Sequence, residues 1–146
     1  MAVTACMGYG DKEIIAELPS RIASSKILFV GLRNWERKEI IVRQKQYGIP
    51  HLAPKDVAQN SDAVKCLLKT CGASKVLIHF DMDVLDPSEI VAAVGTDPEG
   101  MKMEEVIRVI NDIAVEKEIV GLTIAEPMPR TAIRIKDMLN RLPLLK

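Results

Sequence analysis

Residues 75–87, Lys-Val-Leu-Ile-His-Phe-Asp-Met-Asp-Val-Leu-Asp-Pro, decide the fold because they join an apolar strand to a cluster of acids. Residues 76–80 are apolar apart from one histidine, which is typical of a strand buried inside a parallel sheet. Asp81, Asp83 and Asp86 follow at the carboxyl end of that strand, where open α/β sheets bind their ligands. Carboxylates at the mouth of a buried strand are costly unless a cation or hydrogen-bond donors meet them, so we expect a metal site there.

Apolar runs alternate with amphipathic segments along the rest of the chain. After a short first helix, the order is strand, helix, strand, helix, strand, loop, helix, strand, helix. Such alternation predicts right-handed crossovers and a mostly parallel sheet covered on both faces, a three-layer α/β/α fold. We expect one domain over residues 1–146. The predicted strands are 27–32, 49–53, 76–80 and 120–125, and the predicted helices are 11–18, 35–46, 54–71, 101–116 and 130–142.

Composition narrows the class of protein further. The chain has 146 residues, 48% of them hydrophobic and 27% charged, which is typical of a soluble globular protein. The net charge is zero, so there is no electrostatic case for nucleic acid or an anionic membrane as a partner. No membrane span is visible. The three cysteines, Cys6, Cys66 and Cys71, lack a Cys-x-x-Cys spacing, which favours reduced thiols in a cytoplasmic setting.

The aspartates of the central stretch have a spacing that suits metal ions. On an extended strand, Asp81 and Asp83 share one face and lie about 6–7 Å apart along the backbone. Their carboxylates could converge on two ions, and carboxylates suit Mn²⁺ or Mg²⁺. Solvated loop aspartates are the alternative interpretation. His79 lies on the same face, where it is either a metal ligand or a hydrogen-bonded core histidine, and Asp86 either contacts metal or caps the turn before Pro87.

Residues 79–87, His-Phe-Asp-Met-Asp-Val-Leu-Asp-Pro, resemble the signature of the ureohydrolase family, which comprises the arginases, agmatinases and formiminoglutamases. Three further segments resemble the family in the same order. They are the strand that ends in Gly-Leu-Arg at residues 31–33, the loop with Gly95-Thr96 and Gly100-Met101, and the strand that ends in Glu126.

The resemblance implies a hydrolase that cleaves a C–N bond of a guanidino or formimino substrate by metal-bound hydroxide and releases urea or an amide. It implies a binuclear manganese site with Asp81 and Asp83 as ligands, and a homo-oligomer for the full-length family. Glu126 matches the acid that holds the substrate guanidinium, and a carboxylate can bond that group bidentately. An acid at a helix N-terminus is the alternative interpretation of Glu126.

Glu36 and Glu39 fall near the loop that reads the far end of the substrate in arginases. The acidic pattern of arginases is replaced here by Asn34-Trp35-Glu36, which disfavours arginine as the substrate. Both glutamates also suit the first turn of a helix, where the helix dipole favours negative charge. Thr96 is a further site candidate, through the Gly-Thr resemblance.

Two earlier family motifs, Gly-Gly-Asp-His and Asp-Ala-His-x-Asp, are missing, and the chain begins in an apolar run without a capping residue. It therefore resembles a truncated, C-terminal portion that lacks half of the metal ligands, and we expect it to be inactive alone. The missing strand would lie between strands 27–32 and 76–80. Its absence leaves backbone groups to be satisfied in another way, so we expect marginal stability or self-association.

A second class of function is a non-catalytic or receiver-like α/β domain with an acidic pocket that binds Mg²⁺. Such a domain needs an acid pair after its first strand and a lysine after its last strand. Here Glu126-Pro127 occupies the position of that lysine, which makes this interpretation the alternative.

Overall fold

A computed structural model describes residues 2–33, 38–95 and 97–145. The chain divides into two compact units, the first formed by Met1–Phe29 and Trp35–Pro50 and the second by Val30–Asn34 and His51–Lys146. No helix in the described ranges is long and apolar enough to span a membrane. None of the three cysteines forms a disulfide.

The first unit contains three helices, α1 (Ala2–Cys6), α2 (Lys12–Ala16) and α3 (Lys38–Tyr47). Helix α2 begins where the sequence predicted a helix, because the Asp11 carboxylate accepts a hydrogen bond from the Glu13 amide at 2.8 Å and caps the first turn. The rings of Tyr9 and Tyr47 stack with their centroids 5.0 Å apart. This unit holds Glu39, one of the candidate site residues.

The second unit is an α/β arrangement that begins within the short strand β1 (Phe29–Val30). Its further elements are, in chain order, β2 (His51–Leu52), α4 (Pro54–Val57), α5 (Asp62–Cys71), β3 (Lys75–Asp81), α6 (Met103–Glu116), β4 (Glu118–Ala125) and α7 (Ala132–Leu139). The helix predicted for 54–71 is thus two helices, of which the second ends at Gly72 with φ 70°. Strand β1 is shorter than the predicted 27–32.

Strands β3 and β4 form a parallel pair, as the alternating pattern predicted. The register places His79 opposite Thr123 and Asp81 opposite Ala125, with an irregularity between Val76 and Leu77. One face of the pair is covered by α6, an amphipathic helix whose buried residues recur at helical spacing. These buried residues are Val106, Ile107, Val109, Ile110 and Ile113.

The opposite face of the β3–β4 pair is open, so the expectation that both faces are buried is wrong. Leu77 is 67% exposed and Val120 is 53% exposed. In the described residues, β3 pairs with β4 alone, and β1 and β2 form a separate sheet. The α/β class is confirmed, but the sheet is incomplete. An apolar run alone could not reveal the open face, because the sequence pattern does not say which neighbours are present to cover it.

Candidate active site

Two aspartates stand where β3 ends and the chain turns. Asp81 is the last residue of β3, and Asp83 lies in a one-turn 3-10 helix, Met82–Val84, whose Met82 side chain is buried. Both carboxylate-bearing residues are half-buried, and the Asp83 amide lies 3.4 Å from Asp81 Oδ1. The spacing argument assumed an extended strand through Asp83, and this was wrong because the strand stops at Asp81.

The Asp86 carboxylate holds the turn that follows. Its Oδ1 atom accepts hydrogen bonds from the Ser88 amide at 2.8 Å and the Ser88 hydroxyl at 2.5 Å, and its Oδ2 atom accepts one from the Gly100 amide at 2.9 Å. The Ser88 hydroxyl, followed by the backbone amides, lowers the pKa of Asp86 because these donors favour the charged form. In the structure, Asp86 caps the turn and bridges it to the loop before α6.

That loop, residues 97–101, lies directly against the turn that carries Asp83. The Met101 amide donates to the Val84 carbonyl at 2.8 Å, and the Asp86 amide donates to the Met101 carbonyl at 2.9 Å. Gly100 permits this close approach, because a Cβ atom there would lie 2.6 Å from the Asp86 nitrogen. The turn after β3 and the 97–101 loop are therefore held together at this end of β3.

His79 lies on the open face of the β3–β4 pair. The side chain is exposed, and its Nδ1 atom lies 2.7 Å from Thr123 Oγ1 on the neighbouring strand. The interpretation of His79 as a core histidine is therefore wrong with respect to burial, although the side chain is hydrogen-bonded. The open face explains the difference, since residues 79 and 123 would be covered in a sheet that is buried on both sides.

Glu126 follows β4 at the same edge of the sheet as the aspartates, since Asp81 pairs with Ala125. It is exposed and has φ 57°, a left-handed conformation that is uncommon for a residue other than glycine. The Met128 amide donates to the Ala92 carbonyl at 2.8 Å and ties this loop to the chain after β3. Helix α7 begins only at Ala132 and has no acid in its first turn, so Glu126 is not a helix-capping acid.

The remaining candidates are Glu39, Glu36 and Thr96. Glu39 is exposed in the first turn of α3, as the alternative interpretation had it, and belongs to the first unit. Glu36 and Thr96 lie outside the described residues. Sequence reasoning assigned no role to Arg33, whose guanidinium contacts several backbone carbonyls near Asp83. The Gly-Leu-Arg pattern at the end of the predicted strand 27–32 was the signal that pointed toward this residue.

The donor set suits a manganese ion in type but not in number. Carboxylate oxygens are the hard ligands that Mn²⁺ prefers. Among the described residues, however, no group of three or more His, Cys, Asp or Glu side chains is placed to hold a metal ion. Within the part of the chain that the structure describes, Asp81 and Asp83 therefore do not amount to a complete metal site.

The parallel pair, the acids at its carboxyl edge and the incomplete sheet define an arginase-like α/β protein. The model of the arginase family matches residues 12–139. An arginase from Entamoeba histolytica is 24% identical over 134 residues, which are 89% of this chain and 45% of that protein. The chain belongs to the arginase family.

Solved structures show the same fold. The crystal structure of Entamoeba histolytica arginase in complex with L-ornithine has a TM-score of 0.82 at 21% identity, and the match covers 97% of this chain and 51% of that one. Formimidoylglutamase from Bacillus subtilis has a TM-score of 0.67 at 21% identity, covering 82% of this chain and 37% of that one. The chain thus spans about half the length of these relatives, or less. Membership of this family removes the support for a receiver-like domain.

Proposed function

We propose that this chain contributes part of the active site of a manganese-dependent ureohydrolase. The reaction is hydrolysis of a C–N bond in a guanidino or formimino substrate, with release of urea or an amide. The observation that carries the proposal is the β3–β4 register, which brings the acids after both strands to one edge of the sheet. Family membership supports the reaction class, and the remaining ligands would come from residues that this chain does not contain.

Each acid has a separate part in this proposal. Asp81 and Asp83 would supply two of the carboxylates for a pair of manganese ions. Glu126 would hold the substrate, because its carboxylate is exposed and can accept two parallel hydrogen bonds from a guanidinium or amidinium group. The substrate contacts of Glu36 and Glu39 remain predictions from the sequence alone, because Glu39 belongs to the first unit and Glu36 lies outside the described residues.

The relatives support the proposed class of substrate. The Entamoeba histolytica relative is an arginase, and another structural neighbour is a formimidoylglutamase. Because two carboxylates are too few for two dications, we propose that the chain alone neither holds the ions tightly nor turns over substrate. We further propose a cytoplasmic location and a homo-oligomeric state for the complete enzyme.

Manganese titration tests the metal part of the proposal. Paramagnetic Mn²⁺ broadens the NMR signals of nearby amides, so weak binding can be located as well as measured. We expect broadening centred on Asp81 and Asp83 that disappears in the double variant D81N/D83N. The exposed Asp137 on α7 provides the matched control, D137N, which should behave as the wild type. Equal broadening in the double variant and the wild type would refute the proposal that Asp81 and Asp83 bind the metal.

Titration with guanidinium compounds tests Glu126 without relying on metal. Agmatine and methylguanidine should shift the amide signals of Glu126 and Met128, and E126Q should abolish these shifts because it removes the negative charge. Glu99 is a close control, since it is also an exposed glutamate with a positive φ, of 63°. Loss of the shifts in E99Q but not in E126Q would contradict the role assigned to Glu126.

Assays of urea and formamide release complete the test. The chain alone, with Mn²⁺ and with arginine, agmatine or formiminoglutamate, should show no turnover above background. Activity of the chain alone would show that its site is complete, contrary to the proposal.

A further inference from the structure

The guanidinium of Arg33 binds the backbone of two separate loops. Its Nη2 atom lies 2.8 Å from the Asp83 carbonyl and 3.1 Å from the Asp97 carbonyl. Its Nε atom donates to the Pro98 carbonyl at 3.2 Å. Nη2 carries two hydrogens, so the contacts with Asp83 and Asp97 are its main bonds. The carbonyls of Leu85 at 3.3 Å and Val84 at 3.4 Å share the same donor.

The acceptors show what this side chain joins. Residues 83–85 form the turn that carries Asp83, and residues 97–98 belong to the loop that precedes α6. The carbonyls of the turn are partly buried at the contact. Loss of a hydrogen bond to a partly buried carbonyl is costly, although the Val84 carbonyl would keep its bond from the Met101 amide. Arg33 therefore satisfies the turn and the loop with one rigid, planar group.

The Arg33 guanidinium packs closely against the backbone on one side. Gly100 lies beside Arg33, and a Cβ atom at Gly100 would come within 2.6 Å of Nη2. A lysine at position 33 has a single nitrogen, which cannot reproduce the fixed fork of Nε and Nη2. The substitution R33K therefore keeps the positive charge but removes the paired donors that contact the turn and the loop at the same time.

We propose that Arg33 is a positioning residue for the site, which fixes the Asp83 turn against the 97–101 loop and so sets the place of the Asp83 carboxylate. This role rests on the proposed function, in which Asp83 is a metal ligand. Arg33 acts through the backbone carbonyls and does not itself contact substrate or metal. Substitution of a group that orients a metal ligand typically weakens metal binding by about 10- to 100-fold.

The test compares the wild type with R33K in two measurements. Amide hydrogen exchange reports the contact between loop and turn, through the amides of Gly100 and Met101, which donate to Asp86 and Val84. We expect their exchange to become about tenfold faster in R33K, while amides of the β3–β4 pair keep their rates and show that the fold is intact. Mn²⁺ broadening at Asp81 and Asp83 should require about tenfold more Mn²⁺ in R33K.

Arg134 offers a matched control, because its exposed guanidinium donates to one carbonyl, that of Glu89, at 3.0 Å. R134K should leave both measurements unchanged. Unchanged exchange at Gly100 and Met101 in R33K would overturn the positioning role. Faster exchange with unchanged Mn²⁺ broadening would also overturn it, since Arg33 would then hold the loop without placing the ligand. Absence of broadening in the wild type would instead refute the proposed function, and the role of Arg33 with it.

Discussion

The loops that follow β3 and β4 leave the same edge of the sheet but are built differently. The loop after β3 is cross-linked by the Asp86 carboxylate, by the Arg33 guanidinium and by backbone bonds to Met101. The loop after β4 presents Glu126 to solvent in a left-handed conformation, and the Met128 amide ties it to Ala92.

The difference matches what the two proposed roles require. A metal ligand must be held at a defined place before the ion arrives, and a network of hydrogen bonds provides this rigidity. An acid that binds a substrate must be accessible, and its backbone strain is tolerated where function demands a particular orientation. We therefore expect substitutions in the two loops to change stability in opposite directions.

Gly100→Ala should have the largest effect, because it separates the cross-linked segments. The added Cβ atom would lie 2.6 Å from the Asp86 nitrogen and 2.7 Å from the Leu85 carbonyl carbon, both backbone atoms that cannot move cheaply. Overpacking of this kind lowers the free energy of unfolding by about 2 kcal/mol. Urea denaturation checks this value.

Gly95 in the same segment is the matched control, since a Cβ atom there meets nothing within 4 Å. Gly95→Ala should leave stability unchanged or raise it by about 0.5 kcal/mol, because alanine restricts the unfolded chain. An equal loss of stability in both variants would mean that the close approach of the Gly100 backbone to Leu85 and Asp86 does not hold the loop against the turn.

Asp86→Asn should lower the free energy of unfolding by about 1 kcal/mol at neutral pH, because the charged acceptor of the Ser88 and Gly100 bonds is lost. The pKa of Asp86 is lowered in the folded state, chiefly by the Ser88 hydroxyl. The stability that Asp86 provides is therefore present above its unfolded pKa of about 3.9 and is lost as the pH falls through the lower, folded pKa.

The pH dependence separates this effect from a simple loss of packing. The difference in stability between the wild type and D86N should shrink as the pH is reduced from 6 toward the folded pKa. A difference between the wild type and D86N that stays constant with pH would assign it to a cause other than the carboxylate charge.

Glu126→Gly should act in the opposite direction and raise the free energy of unfolding by about 0.5–1 kcal/mol. Glycine adopts φ 57° without the steric cost that a side chain incurs there. Part of this gain is offset because glycine makes the unfolded chain more flexible. Glu126→Ala keeps the Cβ atom and should bring no gain. Thermal unfolding compares the stability of E126G with that of E126A, and equal stability of the two variants would refute backbone strain at this position.

The sequence predicted the parts of this arrangement that depend on local pattern. Apolar runs located β3 and β4, and helical spacing located α6, because periodicity is a property of neighbouring residues. The pattern could not show that the chain turns directly after Asp81, since the Asp-x-Asp spacing suits both a strand and a 3-10 turn. It also gave no role to Arg33, whose partners are 50 to 65 residues away in the sequence. Contacts of that range depend on the assembled loops.

The smallest change in the free energy of unfolding is expected on the β3–β4 pair, from which the two loops extend. Leu77 on its open face is 67% exposed and therefore adds little to folding. Leu77→Thr should change the free energy of unfolding by less than about 0.5 kcal/mol, as for other surface positions. It should, however, weaken self-association, which we expect because the open face exposes Leu77 and Val120 and because β3 pairs, among the described residues, with β4 alone. Sedimentation velocity over a range of concentrations measures this, with K75T on the same face as the control. A wild type that stays monomeric and unfolds cooperatively would contradict the expectation that the chain is marginally stable or self-associates.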